Sequence, residues 1–334
     1  MRHVLLAALA ALLLGFGPAS AQVSGTPTNP LPVPTQAEEV ELQKALNGGR
    51  VAGRISIPDA QAASLIQPAG KEWRDFHNRT LAWIGGVAVL GVAFLLFLFY
   101  GTKGRIRIGG GPAGRTLLRF NTLERVNHWM VASSFIVLAL SGLNLTFGRH
   151  LLLPLIGPEA FTAVSLWGKV AHNYVSFAFS LGILLMLLLW ARDNLPARAD
   201  WAWLSAGGGF LDGSHPAAGR FNAGQKLVFW ITVLGGAVVA ASGYLLMFPF
   251  ALTDIAGMQL AHIVHGVLAV LMIAAMLAHI YIGSIGMEGA FDAMGSGRVD
   301  YNWAREHHSL WVDEELTRAR ADIALPDARA VGAD

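Results

Sequence analysis

The sequence predicts an all-α membrane protein that crosses the bilayer five times. Hydrophobic residues make up 54% of its 334 residues and charged residues only 14%, and the mean hydropathy is +0.49. Soluble domains carry about 25% charged residues, so this composition is typical of a polytopic membrane protein. Five stretches without any charged residue are each long enough to span a bilayer, at residues 81–100, 129–147, 170–190, 227–248 and 255–287.

Net charge and cysteine content exclude several classes of function. The net charge is +2, and in a membrane protein basic residues mainly report topology, so we do not predict nucleic-acid binding. The chain has no cysteine, which excludes disulfides, thiolate-bound zinc, an iron–sulfur cluster held by this chain and covalent haem attachment. Any redox centre must therefore be non-covalent and held by histidine or methionine.

The N-terminal 80 residues precede the first predicted span. Residues 1–21 begin with Arg2, continue with a short apolar run and end in Ala-Ser-Ala, the pattern of a signal peptide cleaved after Ala21. The alternative is an uncleaved anchor, but about 14 apolar residues are short for a span. Residues 22–80 are polar and begin proline-rich, so we predict a periplasmic N-terminal segment.

Charge distribution orients the five spans. The segment 102–127 carries six basic residues against one acidic residue, whereas the loop 249–257 carries no basic residue. By the positive-inside rule the N-terminus is periplasmic after signal cleavage and the C-terminus is cytoplasmic, in a bacterial inner membrane. The predicted domains are an extra transmembrane helix at 81–100, a cytoplasmic linker at 101–119, a four-helix domain at 120–290 and a cytoplasmic tail at 291–334.

The fifth span contains His262, His265 and His279 and no charged residue. Fourteen helical steps separate His265 from His279, about 21 Å and within about 40° of whole turns, so both imidazoles leave one face near opposite membrane surfaces. Histidine is costly inside a membrane and marks a functional site. His262 is turned about 100° from the face of His279, so we favour His265 over it.

Two further histidines lie at matching depths. His128 opens the second span near the cytoplasmic surface, as His279 does on the fifth span, while His172 and His265 lie near the periplasmic surface. Two pairs at two depths are what two b haems with paired imidazole ligands require. The sequence therefore predicts a four-helix transmembrane dihaem cytochrome b bundle, and a transporter with a histidine-lined ion path is the alternative from another class.

The remaining histidines and the glycine-rich pieces are read as surface features. His150, His215, His307 and His308 fall in loops or the tail, so we predict solvated side chains. The triplets 109–111 and 207–209 lack the strand and helix context of a phosphate loop and predict flexible loops.

A combination of motifs connects residues 119–315 to a known family. The motifs are Asn121 to Trp129, Ala139 to Gly142, Lys169 to His172, Asn222 to Lys226 with Phe229 and Trp230, the spacing from His265 to His279, and Arg305 to His308 with Trp311. Together they resemble the cytochrome b (gamma) subunit of membrane-bound respiratory formate dehydrogenase. The chain differs from the short form of that subunit by its signal peptide, its periplasmic segment and the extra span.

The resemblance implies a function in electron transfer. In that family four helices bind two b haems, and an iron–sulfur (beta) subunit relays electrons from a molybdenum- or tungsten-containing catalytic (alpha) subunit that oxidises formate. The chain would anchor these partners in the lipid bilayer and pass electrons from the periplasmic to the cytoplasmic side to reduce membrane quinone. A higher oligomer is an open alternative to a single copy of the complex. The alternative is the dihaem cytochrome b of a hydrogenase or another molybdenum oxidoreductase.

The resemblance also implies the site residues. Matching positions give His172 and His265 as ligands of the outer haem iron and His128 and His279 as ligands of the inner one. They give a quinone site beside the inner haem at the turn of Asn222, Gly224, Gln225 and Lys226. Haem propionates need cationic partners near the surface, and Arg119 and Arg125 are the candidates. No catalytic residue for formate is expected on this chain.

Overall fold

The computed structural model describes residues 68–209 and 213–331 together with the isolated residue Val40, and side chains within 72–209 and 213–321. The predicted signal peptide and most of the segment 22–80 lie outside the described residues.

The described chain is almost entirely helical. Its helices are α1 (Pro68–Asp75), α2 (Leu81–Lys103), α3 (Thr122–Leu151), α4 (Leu153–Trp190), α5 (Arg198–Ser205), α6 (Ala223–Trp230), α7 (Gly236–Met247), α8 (Ile255–Tyr281), α9 (Asp292–Gly295), α10 (Tyr301–His307) and α11 (Ser309–Val331). π-Helical turns at Phe76–Thr80, Ile231–Gly235 and Ile282–Gly286 lead into α2, join α6 to α7 and extend α8. Two short strands, β1 (Thr116–Leu118) and β2 (Arg298–Asp300), pair antiparallel.

Five of the described helices are long and apolar enough to cross a membrane. They run over Glu72–Lys103, Thr122–Leu151, Leu153–Trp190, Ala223–Met247 and Ile255–Gly286. Each contains or closely matches one of the five stretches predicted from the sequence. The prediction of an all-α membrane protein with five spans is therefore confirmed.

Polar caps fix where three of these helices begin. Asn121 and Glu124 cap each other's backbone N–H groups at the start of α3, and Asn222 and Gln225 do the same at the start of α6. Asp254 accepts a hydrogen bond from the N–H of Gly257 at the start of α8. Such caps satisfy backbone donors that the first helical turn leaves unpaired.

The third span begins earlier than predicted. Helix α4 starts at Leu153, whereas we expected a loop over 148–169. Gly157 interrupts it with a positive φ of 78°, and Pro158 follows. Proline has no backbone N–H, but the N–H groups of a first helical turn have no partner within the helix in any case. Pro158 can therefore begin the helix again after the kink. The expected loop is largely an extension of the span.

Close helix packing depends on two glycines. On α4, a Cβ at Gly182 would lie 2.5 Å from a methyl of Val131, so only glycine lets α4 approach α3 this closely. The buried Asn127 amide donates to the Gly182 carbonyl at 3.1 Å. On α2, Gly85 lies against Phe147 and Val270, which fixes the extra helix against α8.

The segment after the extra helix is bound along its length. Ile106 donates to the Gly286 carbonyl and accepts from Glu288, and β1 pairs with β2. The N–H groups of Gly109 and Gly110 donate to the Glu306 carboxylate at 3.1 and 3.3 Å. The expected flexible triplet 109–111 is thus held in place, because small residues let two successive N–H groups face one carboxylate.

Candidate functional site

Two pairs of histidines face each other across the helix bundle. The rings of His128 on α3 and His279 on α8 have centroids 6.3 Å apart at an interplanar angle of 61°. The rings of His172 on α4 and His265 on α8 have centroids 6.1 Å apart at 63°. We call these the first and second histidine pairs. The structure brings together the same partners that topology and resemblance predict.

Each pair is spaced to hold one metal ion between its rings. A nitrogen ligand lies about 2.0 Å from a transition metal such as zinc and about 1.1 Å from the centre of its own ring, so two imidazoles on one ion have centroids about 6.2 Å apart. Among the described residues no group of three or more histidine, cysteine or acidic side chains is placed to hold a metal ion. The ring spacing of each pair fits two imidazoles that bind one metal ion between them.

Hydrogen bonds set the tautomers of the second pair. The Nδ1 atom of His172 lies 2.8 Å from the Ser141 hydroxyl, whose own proton goes to the Val137 carbonyl at 2.6 Å. His265 donates from Nδ1 to the Val239 carbonyl at 3.0 Å. An imidazole that donates from Nδ1 carries its lone pair on Nε2, the state a metal ligand requires.

The surroundings of both pairs leave room and bonding capacity for a bound group. Gly142 and Gly243 lie beside the second pair, where a Cβ would stand 3.6 and 3.0 Å from the rings of His172 and His265. In the first pair, Nδ1 of His128 is buried and has no hydrogen-bond partner in the described part of the chain. These observations fit a large cofactor between the rings.

His262 belongs to neither pair. Its ring contacts His77 and Trp73, with centroids 5.1 and 5.4 Å apart. Both partners precede the extra helix, so His262 packs against the N-terminal extension rather than facing His279.

The four-helix region matches a known family. The family model described as "Prokaryotic cytochrome b561" matches residues 119–297, more than half of the chain and all four paired histidines. The chain belongs to the prokaryotic cytochrome b561 family. Membership brings haem b as the cofactor, in agreement with the paired imidazoles.

Three relatives of this chain are named as cytochrome b556 subunits of formate dehydrogenase. The formate dehydrogenase cytochrome b556(fdo) subunit of Escherichia coli is 28% identical over 60% of this chain and 93% of its own length. The nitrate-inducible cytochrome b556(Fdn) subunit of the same species is 27% identical over 62% and 94%. The formate dehydrogenase cytochrome b556 subunit of Haemophilus influenzae is 24% identical over 65% and 91%.

The turn from Asn222 to Lys226, predicted to bind quinone, is largely occupied by internal contacts in this cytochrome b561. The side chains of Asn222 and Gln225 each accept the other's backbone N–H at 2.9 and 3.1 Å. Lys226 forms an ion pair with Asp200 at 2.9 Å. Gly224 lies under Trp203, where a Cβ would stand 2.9 Å from the indole.

Asn222 also borders a cleft of about 470 Å³ at the end of the bundle where α2 and α8 finish. We call it the inner cleft. It is lined by residues that follow or end membrane helices, including Phe99, Ile106, Trp203, His215, Met287 and His307.

The two arginines predicted to meet propionates differ in their surroundings. Arg125 donates to the carbonyls of Met294 and Gly295, so part of its guanidinium is already hydrogen-bonded within the protein. Arg119 is buried, and although Nη2 donates to the Arg220 carbonyl at 2.6 Å, its Nε and Nη1 have no hydrogen-bond partner among the described residues. Burial, and then the charge of Arg220, lower the pKa of Arg119 to about 9. An anion beside Arg119 would accept hydrogen bonds from the unpaired Nε and Nη1 and would compensate the buried positive charge.

The prediction that His308 is a solvated surface residue is wrong. Its side chain is only 1% exposed. Nδ1 lies 2.8 Å from the Gly219 carbonyl and Nε2 lies 3.1 Å from Nη2 of Arg119. Burial, and then Arg119, hold the pKa of His308 well below its ordinary value. Its partners lie 89 and 189 residues earlier in the chain, so local sequence carried no sign of this role.

His307 is only partly exposed, in contrast to the predicted solvated state, whereas His215 is exposed as predicted. Their rings pack edge to face with centroids 5.6 Å apart. Burial, and then His215, lower the pKa of His307 to about 4. Both residues line the inner cleft.

A buried ion pair at the start of α3 was not foreseen. Glu124 accepts from Arg220 and from the Trp190 indole, each at 2.7 Å, and its other oxygen accepts from the Asn121 N–H. One carboxylate thus joins α3 to the end of α4 and to the segment before α6. It fixes the helix that carries His128, one turn further on.

Proposed function

We propose that this protein is the membrane-anchoring cytochrome b subunit of a formate dehydrogenase. It would take electrons from an iron–sulfur subunit and pass them across the membrane to quinone. The observation that carries the proposal is the presence of two cross-helix histidine pairs, each with one member on α8, within the matched region 119–297 of a chain whose relatives include formate dehydrogenase cytochrome b556 subunits.

Two b haems are assigned to the two pairs. His172 and His265 would hold one haem iron, and His128 and His279 the other. Haem held by two histidines would supply one-electron transfer. The hydrogen bonds that His172 and His265 donate to the Ser141 hydroxyl and the Val239 carbonyl orient the two rings, while Gly142 and Gly243 keep the space beside them open.

Arg119 is our candidate for a propionate partner at the first pair. Its buried Nε and Nη1 lack hydrogen-bond acceptors in the described chain, and a carboxylate is the acceptor that a guanidinium binds best. Arg125 is a weaker candidate, because two backbone carbonyls already occupy it.

Quinone reduction is assigned to the end of the bundle that holds the first pair. The turn at Asn222, Gly224, Gln225 and Lys226 borders the inner cleft through Asn222. If this end is cytoplasmic, as the basic residues of 102–127 indicate, electrons move inward against a potential that is negative inside. Each electron then stores about 2.3 kcal/mol per 100 mV.

The rest of the domain plan follows this orientation. We propose cleavage of residues 1–21, a periplasmic segment at 22–80 and a cytoplasmic tail at 291–334, in a bacterial inner membrane. The partners are an iron–sulfur subunit and a molybdenum or tungsten subunit that oxidises formate.

Purification of the native complex tests the proposal. We expect two haems b per chain in a reduced-minus-oxidised spectrum, co-purified iron–sulfur and molybdenum or tungsten subunits, and formate-dependent quinone reduction. In proteoliposomes this reduction should build a membrane potential. Haem reduction by hydrogen or another donor, with none by formate, would instead assign the chain to a different dehydrogenase. Protein without haem would contradict the proposal altogether.

A further inference from the structure

The N-terminal extension builds one wall of the inner cleft. Four residues of this extension line the cleft. Two lie in the last turns of the extra helix α2, Phe99 and Lys103, and two follow that helix, Ile106 and Arg107. Trp203, His215 and His307 also line the cleft. The family match begins only at residue 119, so this wall lies outside the matched region.

The lining is suited to a flat ring that bears two carbonyl oxygens. Phe99, Ile106, Trp203 and Met287 supply apolar and aromatic surface, and a few polar side chains converge among them. Ligand sites commonly combine mostly apolar walls with a small number of placed polar groups. Since Phe99 belongs to a membrane-spanning helix, the cleft adjoins the lipid phase in which a quinone dissolves.

His307 has an unsatisfied nitrogen in this cleft. Its Nε2 is buried and has no hydrogen-bond partner among the residues that the structure describes. A buried polar atom left unpaired costs about 1–3 kcal/mol, so a ligand oxygen is the missing partner. The neighbouring carboxylate of Glu306 already accepts from Gly109 and Gly110, which leaves His307 as the better proton donor on α10.

We infer that the quinone ring is reduced in the inner cleft and that His307 passes a proton to its carbonyl oxygen, with His215 returning a proton to His307 from the aqueous side. This inference rests on the proposed function, which supplies the electrons from formate through the iron–sulfur partner. Lys103 and Arg107 also line the cleft, and their positive charge favours the negative charge that a quinone oxygen gains on reduction.

Atoms and electrons balance in this step. The quinone takes up two electrons and two protons and becomes the quinol. For one of these protons the Nε2–H bond of His307 breaks and an O–H bond forms on the quinone oxygen beside it, and the second carbonyl oxygen takes its proton from water. Because the pKa of His307 is lowered to about 4, the imidazole is neutral at neutral pH and carries one N–H. It can give that proton while taking another on its second nitrogen from the side of His215.

The exchange His307→Gln in the intact complex tests the proton transfer. We expect haem reduction by formate at the wild-type rate, and quinol formation slowed by about 10²-fold, a usual contribution of general acid catalysis. Free imidazole should partly restore quinol formation in His307→Gly. The matched control is His150→Gln, an exposed histidine at the far end of α3, which should leave both rates unchanged. Equal rates of quinol formation in His307→Gln and wild type would overturn the inference while leaving the proposed function intact.

The absence of cysteine from this chain allows a second test that does not depend on turnover. In Ile106→Cys the new thiol lies in the cleft, whereas Leu252→Cys places it on a residue that is 85% exposed outside the lining. We expect duroquinone, whose fully substituted ring does not readily add thiols, to slow maleimide labelling of Ile106→Cys on this chain and not that of Leu252→Cys. Equal labelling with and without duroquinone would place the quinone elsewhere, even if His307→Gln failed to assemble. Wild-type complex that reduces no quinone from formate would refute the proposed function instead.

Discussion

Glu124 and Arg220 form a buried ion pair with Oε1 and Nη2 2.7 Å apart. The carboxylate also accepts from Trp190 and caps the start of α3, so three elements meet at one side chain. Arg220 further pairs with Asp193 at 2.7 Å. A charge held by this many partners is costly to remove, because each partner then loses an acceptor.

The exchange Glu124→Gln should therefore lower stability by about 1–3 kcal/mol. The measurement is the thermal midpoint of haem loss in detergent. The matched control is Glu315→Gln, whose partner Arg318 is 68% exposed and which should change stability by less than about 0.5 kcal/mol. Equal effects of the two exchanges would mean that the Glu124 network does not stabilise the bundle.

Single histidine exchanges should remove one haem at a time. His279→Ala is expected to lose the haem at the first pair and quinone reduction but to keep the other haem, and His265→Ala should lose the haem at the second pair. The measurement is the haem-to-protein ratio, falling from two to one. His262→Ala serves as the control, because its ring packs on His77 rather than in either pair. Retention of two haems in His279→Ala would contradict the assignment.

Acid should destabilise the tail region through His308. Its pKa lies well below 6.5 in the folded state because of burial and Arg119, so the unfolded chain binds more protons below about pH 6.5. Stability is thus full above that value and is lost as the pH falls toward the folded pKa, by at most about 1.4 kcal/mol per pH unit for one group.

Melting curves between about pH 8 and 5 check this linkage. His308→Gln, which can keep the hydrogen bonds without titrating, should show a flatter decline than wild type. A decline of identical slope in both proteins would exclude His308 as the source.

Packing of the extra helix can be tested with two glycines on α2. A Cβ at Gly85 would lie 3.0 Å from Phe147 and 3.1 Å from Val270, whereas at Gly91 it meets nothing within 4 Å. Gly85→Leu should destabilise by about 1–3 kcal/mol through overpacking, while Gly91→Leu should be neutral. If both tolerate leucine equally, α2 does not rest on α8 as described.

The helical membrane fold could be predicted from the sequence, because the hydropathy and length of each span depend only on consecutive residues. The pairing of His265 with His172 and of His279 with His128 followed from helix rise and topology, which need no side-chain contacts. Asn121 and Asn222 were part of motifs noted in the sequence. Each caps a helix together with a residue only three positions later, so this role also depends on local sequence.

Features that join distant segments could not be predicted. The pairing of β1 with β2, the burial of His308 on Arg119 and the inner cleft itself depend on contacts across about a hundred residues or more. Likewise, the early start of α4 was missed because the predicted span was bounded by the charged residue Lys169, although the helix continues through it.

The placement of one member of each histidine pair on α8 makes this helix intolerant of insertions and deletions. One residue added between His265 and His279 would turn the second ring by about 100° and shift it by about 1.5 Å, away from its partner on α3. Loops such as 249–254 can change length without such an effect, since they carry neither ring. In diverged relatives, insertions and deletions should therefore occur outside this interval. The 14-residue spacing should be conserved even where the side chains between the two histidines differ.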